Sequence, residues 1–168
     1  MKAIALTRYL PIDNPESLQD IEFDMPMAKG SDLLVRVDAV SVNPVDTKVR
    51  APKDKVEEKP RILGWDACGT VVSVGEEVTL FKEGDKVFYA GDITRGGSNC
   101  EFQLVDERIA GHAPNNLSNE ETAAIPLTAL TAWEALVDRL GINLNGHISD
   151  KPASLNSTEE DKTLLIIG

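Results

Sequence analysis

Cysteine is nearly absent from this chain: two in 168 residues, Cys68 and Cys100. A pair so small gives no disulfide framework, and a reducing compartment keeps both as thiols. Basic clusters are also missing. The formal net charge is −11 with no stripe of Lys or Arg, so nucleic acid and anionic membrane surfaces are repelled and neither is expected as a partner. No apolar run approaches the length of a membrane span. At the start, MKAIALTRYLPID meets Arg8 too early for a secretion signal. The expected location is cytoplasmic. No internal repeat is visible. With 42% hydrophobic and 27% charged residues, the chain has enough apolar material for one sizeable core and too much to be disordered.

What is present is period-2 alternation over the first two thirds. In LLVRVDAVSV, Leu33, Val35, Val37 and Ala39 share one face while Arg36 and Asp38 take the other. In CEFQLV the inward set is read as Cys100, Phe102 and Leu104. Further strands are read in KAIAL, SLQDIEF (17–23), GTVVSVG (69–75) and DKVFYAG (85–91), punctuated by Gly64, Gly69, Gly75, Gly84 and Gly91. Short strands with glycine corners predict a small, partly open β-barrel. The period then changes. Ser118 and Glu121 form a capping-box pattern, and Leu127, Leu130, Trp133, Val137 and Leu140 continue at helical spacing up to Gly141. One long helix kinked at Pro126 is expected there. Residues 141–162 are polar and read as an exposed linker. TLLIIG (163–168) has the form of a strand running into a Gly-rich turn, as at the start of a dinucleotide-binding unit.

The blocks VNPVDTK (42–48), ILGWDACGTVVSVGEEV (62–78), FKEGDKVFYAG (81–91), GSNCEFQLVD (97–106) and AAIPLTALTAWEAL (123–136) stand in an order and at separations that resemble the amino-terminal catalytic domain of medium-chain dehydrogenases/reductases. Within that superfamily they are most similar to the quinone-oxidoreductase-like branch, also called zinc-type alcohol dehydrogenase-like. The resemblance implies a mainly β fold with helices. Residues 1–140 would form a GroES-like, partly open barrel, 141–162 a linker, and 163–168 the first strand of a truncated Rossmann domain. An apolar edge strand of a single-domain protein is the other reading of 164–168.

The resemblance also implies a chemistry. Zinc-dependent members carry a Cys in the segment matching VSVNPVD and a His-Glu pair in the next block; here Asn43-Pro44 and Trp65-Asp66 occupy those places. His112, His147 and Cys68 have no ligand spacing with one another. No metal is therefore expected. The implied cofactor is NADPH or NADH, the implied partner a quinone or carbonyl substrate, and the implied full-length assembly a homodimer, with this piece monomeric. The expected activity is hydride transfer to a quinone or enone without zinc, and this piece alone is expected to be inactive. A zinc alcohol dehydrogenase and a non-catalytic interaction module are the alternatives.

By the same resemblance, Asn43 is the first candidate to contact the nicotinamide or the reacting carbonyl, its amide offering donor and acceptor without titrating. By its residues alone it is equally an Asx-turn residue before Pro44. Thr131 matches a threonine facing the nicotinamide, or bonds back to a helix carbonyl. Trp65 offers a flat wall to a planar substrate, or packs between barrel and helix. Asp46 reads as a helix cap, Asp66 as an organiser of local hydrogen bonds, Tyr89 and the cysteines as packing residues.

Overall fold

The computed structural model describes residues 1–141. The expected strand at 163–168 and all but the first residue of the expected linker lie outside them. Two compact units are distinguished, Met1–Thr131 and Ala132–Gly168.

The first unit is built on antiparallel β structure. β1 (Lys2–Tyr9), β2 (Gln19–Glu22) and β4 (Lys53–Ile62) form a sheet in the order β2-β1-β4. A second sheet takes the order β7-β3-β5-β6-β8, from β3 (Asp32–Ser41), β5 (Asp66–Val74), β6 (Lys86–Tyr89), β7 (Phe102–Asp106) and β8 (Ala110–His112). An isolated bridge between Ala3 and Cys100 links the two, reinforced by Ile4 N–H on Asn99 O (2.9 Å) and Glu101 N–H on Lys2 O (3.1 Å). The sheets do not close on each other, which is the partly open barrel that the glycine-cornered strands predict.

Burial follows the branched residues. Leu33, Val35, Ala67, Val71, Val87, Tyr89 and Val105 make one cluster in the five-stranded sheet. Leu6, Tyr9, Leu63 and Trp65 make the other. At about 25 cal/mol per Å2 of apolar surface removed from water, each of the buried Leu and Val side chains contributes roughly 1.5–3 kcal/mol. One glycine matters to the geometry near Trp65. Gly64 holds φ +96, a conformation L side chains rarely adopt, and an added Cβ would meet Ser98 Oγ at 2.6 Å.

The structure corrects the sequence reading in several places. On β7 the buried residues are Gln103 and Val105, whereas Phe102 and Leu104 are only partly buried, so the inward face is the opposite of the one expected. Register explains it: Val105 lies across from Leu33 in the core. Gln103 is satisfied inside, accepting from Tyr89 Oη at 2.9 Å and donating through Nε2 to Gly96 O at 3.0 Å, and a polar residue on the inner face inverts the apparent pattern. β4 escaped notice because its charged sequence has no alternation. It pairs with β1 alone, through shifted register.

The expected long helix is also divided. α1 (Pro44–Arg50) precedes β4, and the C-terminal helical region consists of α2 (Asn119–Ala123), α3 (Pro126–Trp133) and π-helical turns over Glu134–Arg139. Pro126 has no N–H, and its ring disfavours helical backbone in the residue before it, so a new helix starts there rather than a kink. The capping box is present as read: Ser118 N–H donates to Glu121 Oε2 (2.9 Å) and Glu121 N–H to Ser118 Oγ (3.2 Å). Ser118→Ala is expected to cost about 1 kcal/mol, lowering the melting temperature by roughly 2–4 °C for a chain of this size. Calorimetry checks it; an unchanged transition means that α2 is held by packing alone.

Candidate functional site

Asn43 sits where β3 hands over to α1. Pro44 fixes the backbone angle of the first helical residue, and Asn43 precedes it in extended geometry, with φ −121 and ψ 165. Asp46 Oδ2 accepts the Asn43 N–H at 2.8 Å, and Asp46 N–H donates to Asn43 O at 3.0 Å. Asp46 is therefore a capping residue of α1. The Asn43 side chain is 8% exposed, and its Nδ2 donates to Asp66 Oδ2 at 2.9 Å.

Asp66 opens β5 and is fully buried. Its other oxygen, Oδ1, accepts the main-chain N–H of Leu127 at 3.0 Å. Since Pro126 has no N–H, Leu127 brings the first available donor of α3 to this carboxylate. Burial pushes the Asp66 carboxyl above the ordinary carboxylate range, the neighbouring Asp46 adds to the rise, and the bonds from Asn43 and Leu127 oppose it. A carboxyl raised by folding lends stability that is complete below its unfolded pKa and is lost as pH rises through the folded one. Wild-type stability is thus expected to decline relative to Asp66→Asn as pH rises from below the ordinary value of 3.8 towards neutrality. Urea unfolding of both proteins across that range measures the gap; a gap independent of pH contradicts the burial of a charged carboxylate.

Trp65 precedes Asp66 and is 5% exposed. It packs with Leu6, Tyr9 and Leu63, with Val45 and Val49 of α1 against them. It also lines a mainly apolar cavity of about 410 Å3 with Val45, Ile93, Ile109, Leu127 and Leu130. One ring thus belongs to both the core cluster and the cavity wall. A larger cavity of about 950 Å3 lies between β4 and residues 93–96, lined in part by Lys55, Glu57, Arg61 and Arg95. It contains neither Asn43 nor Trp65, and cations on its wall are paired, Lys55 with Glu57 at 2.8 Å and Arg95 with Asp32 at 2.8 Å. Of the two, the smaller cavity is the one that Trp65 lines.

Thr131 lies on α3 one turn beyond Leu127. It is exposed, and its Oγ1 donates to Leu127 O at 2.8 Å, the back-bonded arrangement within a helix. The structure therefore brings Asn43, Asp66 and the Leu127 N–H together, places Trp65 next to them in sequence, and bonds Thr131 to the Leu127 carbonyl but not to Asn43, Trp65 or Asp66. Sequence reasoning left out the Leu127 amide. Its one signal was Pro126, which strips the first helical residue of a donor and leaves the N–H of the next as the first one α3 offers.

Zinc was tested against the donor set. Among the described residues, no three of His, Cys, Asp and Glu come together as a metal site. Cys68 is buried, and burial raises its thiol; Cys100 is pushed up to about 11, chiefly by burial. Neither thiol belongs to a group of three or more donor side chains among the described residues, so the residues present do not make a tetrahedral zinc set.

The partly open barrel has a counterpart among known families: residues 29–125 match the alcohol dehydrogenase GroES-like domain. The chain belongs to that family, within the medium-chain dehydrogenases/reductases. It is 45% identical over 168 residues to a zinc-type alcohol dehydrogenase-like protein of Staphylococcus epidermidis, covering 99% of this chain and 46% of the relative. A candidate zinc-dependent alcohol dehydrogenase protein from Rhizobium etli superposes with TM-score 0.80 at 53% identity, over 83% of this chain and 41% of the other. The quinone oxidoreductase of Escherichia coli, solved with NADPH, superposes with TM-score 0.67 at 27% identity, over 83% of this chain and 41% of its own. The chain thus spans about half the length of the relatives it matches. No helix among the described residues is long and apolar enough to cross a membrane.

Proposed function

We propose that this chain is the GroES-like catalytic part of an NAD(P)H-dependent oxidoreductase that reduces a quinone or an activated enone without catalytic zinc. A reduced nicotinamide, when bound, supplies the hydride. In this reading, residues 141–162 link the barrel to a cofactor domain that begins at 163–168 and through which the full-length protein forms a homodimer. The substrate is a small molecule, seated in the cavity walled by Trp65, whose apolar lining suits a planar ring.

The residues divide the work by their chemistry. Asn43 directs its amide to the nicotinamide or to the acceptor oxygen, stabilising charge that grows as the hydride arrives. Thr131 meets the nicotinamide with its methyl and hydroxyl, the latter shared with Leu127 O. Trp65 excludes water and orients the acceptor. The proton comes from solvent. Tyr89 is no donor, because its phenol is 2% exposed, bonded to Gln103 and driven by burial far above its ordinary pKa.

The observation that supports this reading is the Asn43–Asp66 pair, which, with Pro44 and Trp65, the family resemblance puts at the places of the zinc ligands of the metal-dependent members. Support comes also from the likeness to a quinone oxidoreductase solved with NADPH. The test is a substrate panel on the full-length protein. NADPH consumption with p-benzoquinone or cyclohexenone, exceeding NAD+ reduction by simple alcohols, is the expected result; the reverse preference overturns it.

A further inference from the structure

We propose that Asp66 is a positioning residue for Asn43: its carboxylate sets which end of the Asn43 amide is presented to the site. This rests on the role proposed for Asn43 above. The backbone of Asn43 needs no such help, because Asp46 takes its N–H and Pro44 fixes the residue after it. What the backbone leaves undetermined is the rotation of the side-chain amide, whose nitrogen and oxygen ends have nearly the same shape and opposite hydrogen-bonding character.

Asp66 removes that freedom. Its Oδ2 faces Asn43 Nδ2 at 2.9 Å and its Oδ1 faces the Leu127 N–H at 3.0 Å, so both oxygens act as acceptors, the pattern of an ionised carboxylate. An ionised carboxylate has nothing to donate. Were the Asn43 amide turned by half a revolution, its Oδ1 would oppose Asp66 Oδ2 inside the protein with no proton between them. The paired orientation directs Oδ1 away from Asp66. Oδ1 faces the main chain at Asp46 in the capping box of α1, and its second lone pair and the remaining N–H are the acceptor and donor left for a primary carboxamide, which carries the reciprocal pair.

The energetics point the same way. Asp66 is 0% exposed and has no cationic partner among the ion pairs of the described residues. Burying a charge with two hydrogen bonds and no counter-ion is costly, and an apolar residue there would be cheaper to fold. The bond to Leu127 extends the arrangement to α3: the carboxylate that orients Asn43 also receives the first donor of the helix that lines the cavity through Leu127 and Leu130.

Two measurements test this. In the NMR spectrum of this chain at neutral pH, the Asn43 side-chain amide is expected to be protected from solvent exchange, and Asp66→Asn, which can donate as well as accept, to remove that protection while the barrel resonances persist. A wild-type Asn43 amide exchanging as fast as a surface asparagine overturns the proposal. In the full-length enzyme, Asp66→Asn is expected to lower kcat roughly tenfold with Asn43 present and by less than about twofold in the Asn43→Ala background. Equal losses in the two backgrounds would mean that Asp66 acts independently of Asn43, which also overturns it. If the wild-type enzyme reduces neither quinones nor enones, the proposed function fails, and the exchange measurement still decides whether Asp66 orients Asn43.

Discussion

Trp65→Ala is expected to lower the stability of this chain by about 3–5 kcal/mol, because truncating a buried indole leaves a cavity its neighbours fill only in part. Trp65 is 5% exposed and packs with Leu6 and Tyr9 of β1 and with Leu63, which follows the end of β4. The corresponding fall in melting temperature is roughly 6–20 °C. The same ring lines the 410 Å3 cavity, so a milder change separates its two roles. Trp65→Phe keeps most of the packing and shortens the wall. In the full-length enzyme it is expected to raise KM for quinones more than it lowers kcat. A Trp65→Phe enzyme with unchanged KM across quinones of different size would reduce Trp65 to a core residue.

Asn43→Ala has the largest expected effect on turnover. An amide hydrogen bond made mainly during hydride transfer is worth on the order of 1–3 kcal/mol, so its loss lowers kcat roughly 5- to 150-fold. Stability falls as well, since the substitution takes one of the two donors from the buried Asp66 carboxylate and leaves only Leu127. That loss is also about 1–3 kcal/mol. Kinetics are therefore to be read at a temperature where circular dichroism shows the variant folded. Wild-type kcat on several quinones and enones, in a variant that has lost stability, would confine Asn43 to capping α1 and pairing with Asp66.

Much of the architecture was legible because local chemistry and fold agree. The branched residues of β3 and β5, the glycine turns, and the reciprocal Ser118–Glu121 cap all appear where their sequence places them. The errors fall where tertiary context overrides pattern. β4 carries Lys53, Lys55, Glu57, Glu58 and Lys59, and only its edge pairing with β1 makes it a strand. β7 turns Gln103 inward because Tyr89 and Gly96 satisfy it there, information stored in two distant segments. The division of the C-terminal helix at Pro126 was a matter of degree, a break instead of a kink.

The site was legible by resemblance and only partly by residue. Asn43 and Trp65 were singled out from the blocks that carry them; the structure sets Trp65 in the wall of a cavity and bonds Asn43 to Asp66. Asp66 was read as a local organiser, and its two bonds give that reading a definite form. Nothing in the sequence tells that it would be fully buried without a cation, since burial is a property of the packed whole. For Thr131 resemblance gave a contact with the nicotinamide and the residues alone gave a bond back along the helix, and the bond it makes here is the one to Leu127 O.

The central claim, hydride transfer in this barrel without zinc, is tested most directly by turnover of the full-length protein after removal of metal. The protein is purified without a histidine tag, dialysed against a chelator, analysed for zinc and assayed with NADPH and p-benzoquinone in the same preparation. The account predicts much less than one zinc per chain and unchanged kcat. Stoichiometric zinc that survives dialysis, or turnover that disappears with the metal and returns when zinc is restored, would contradict it.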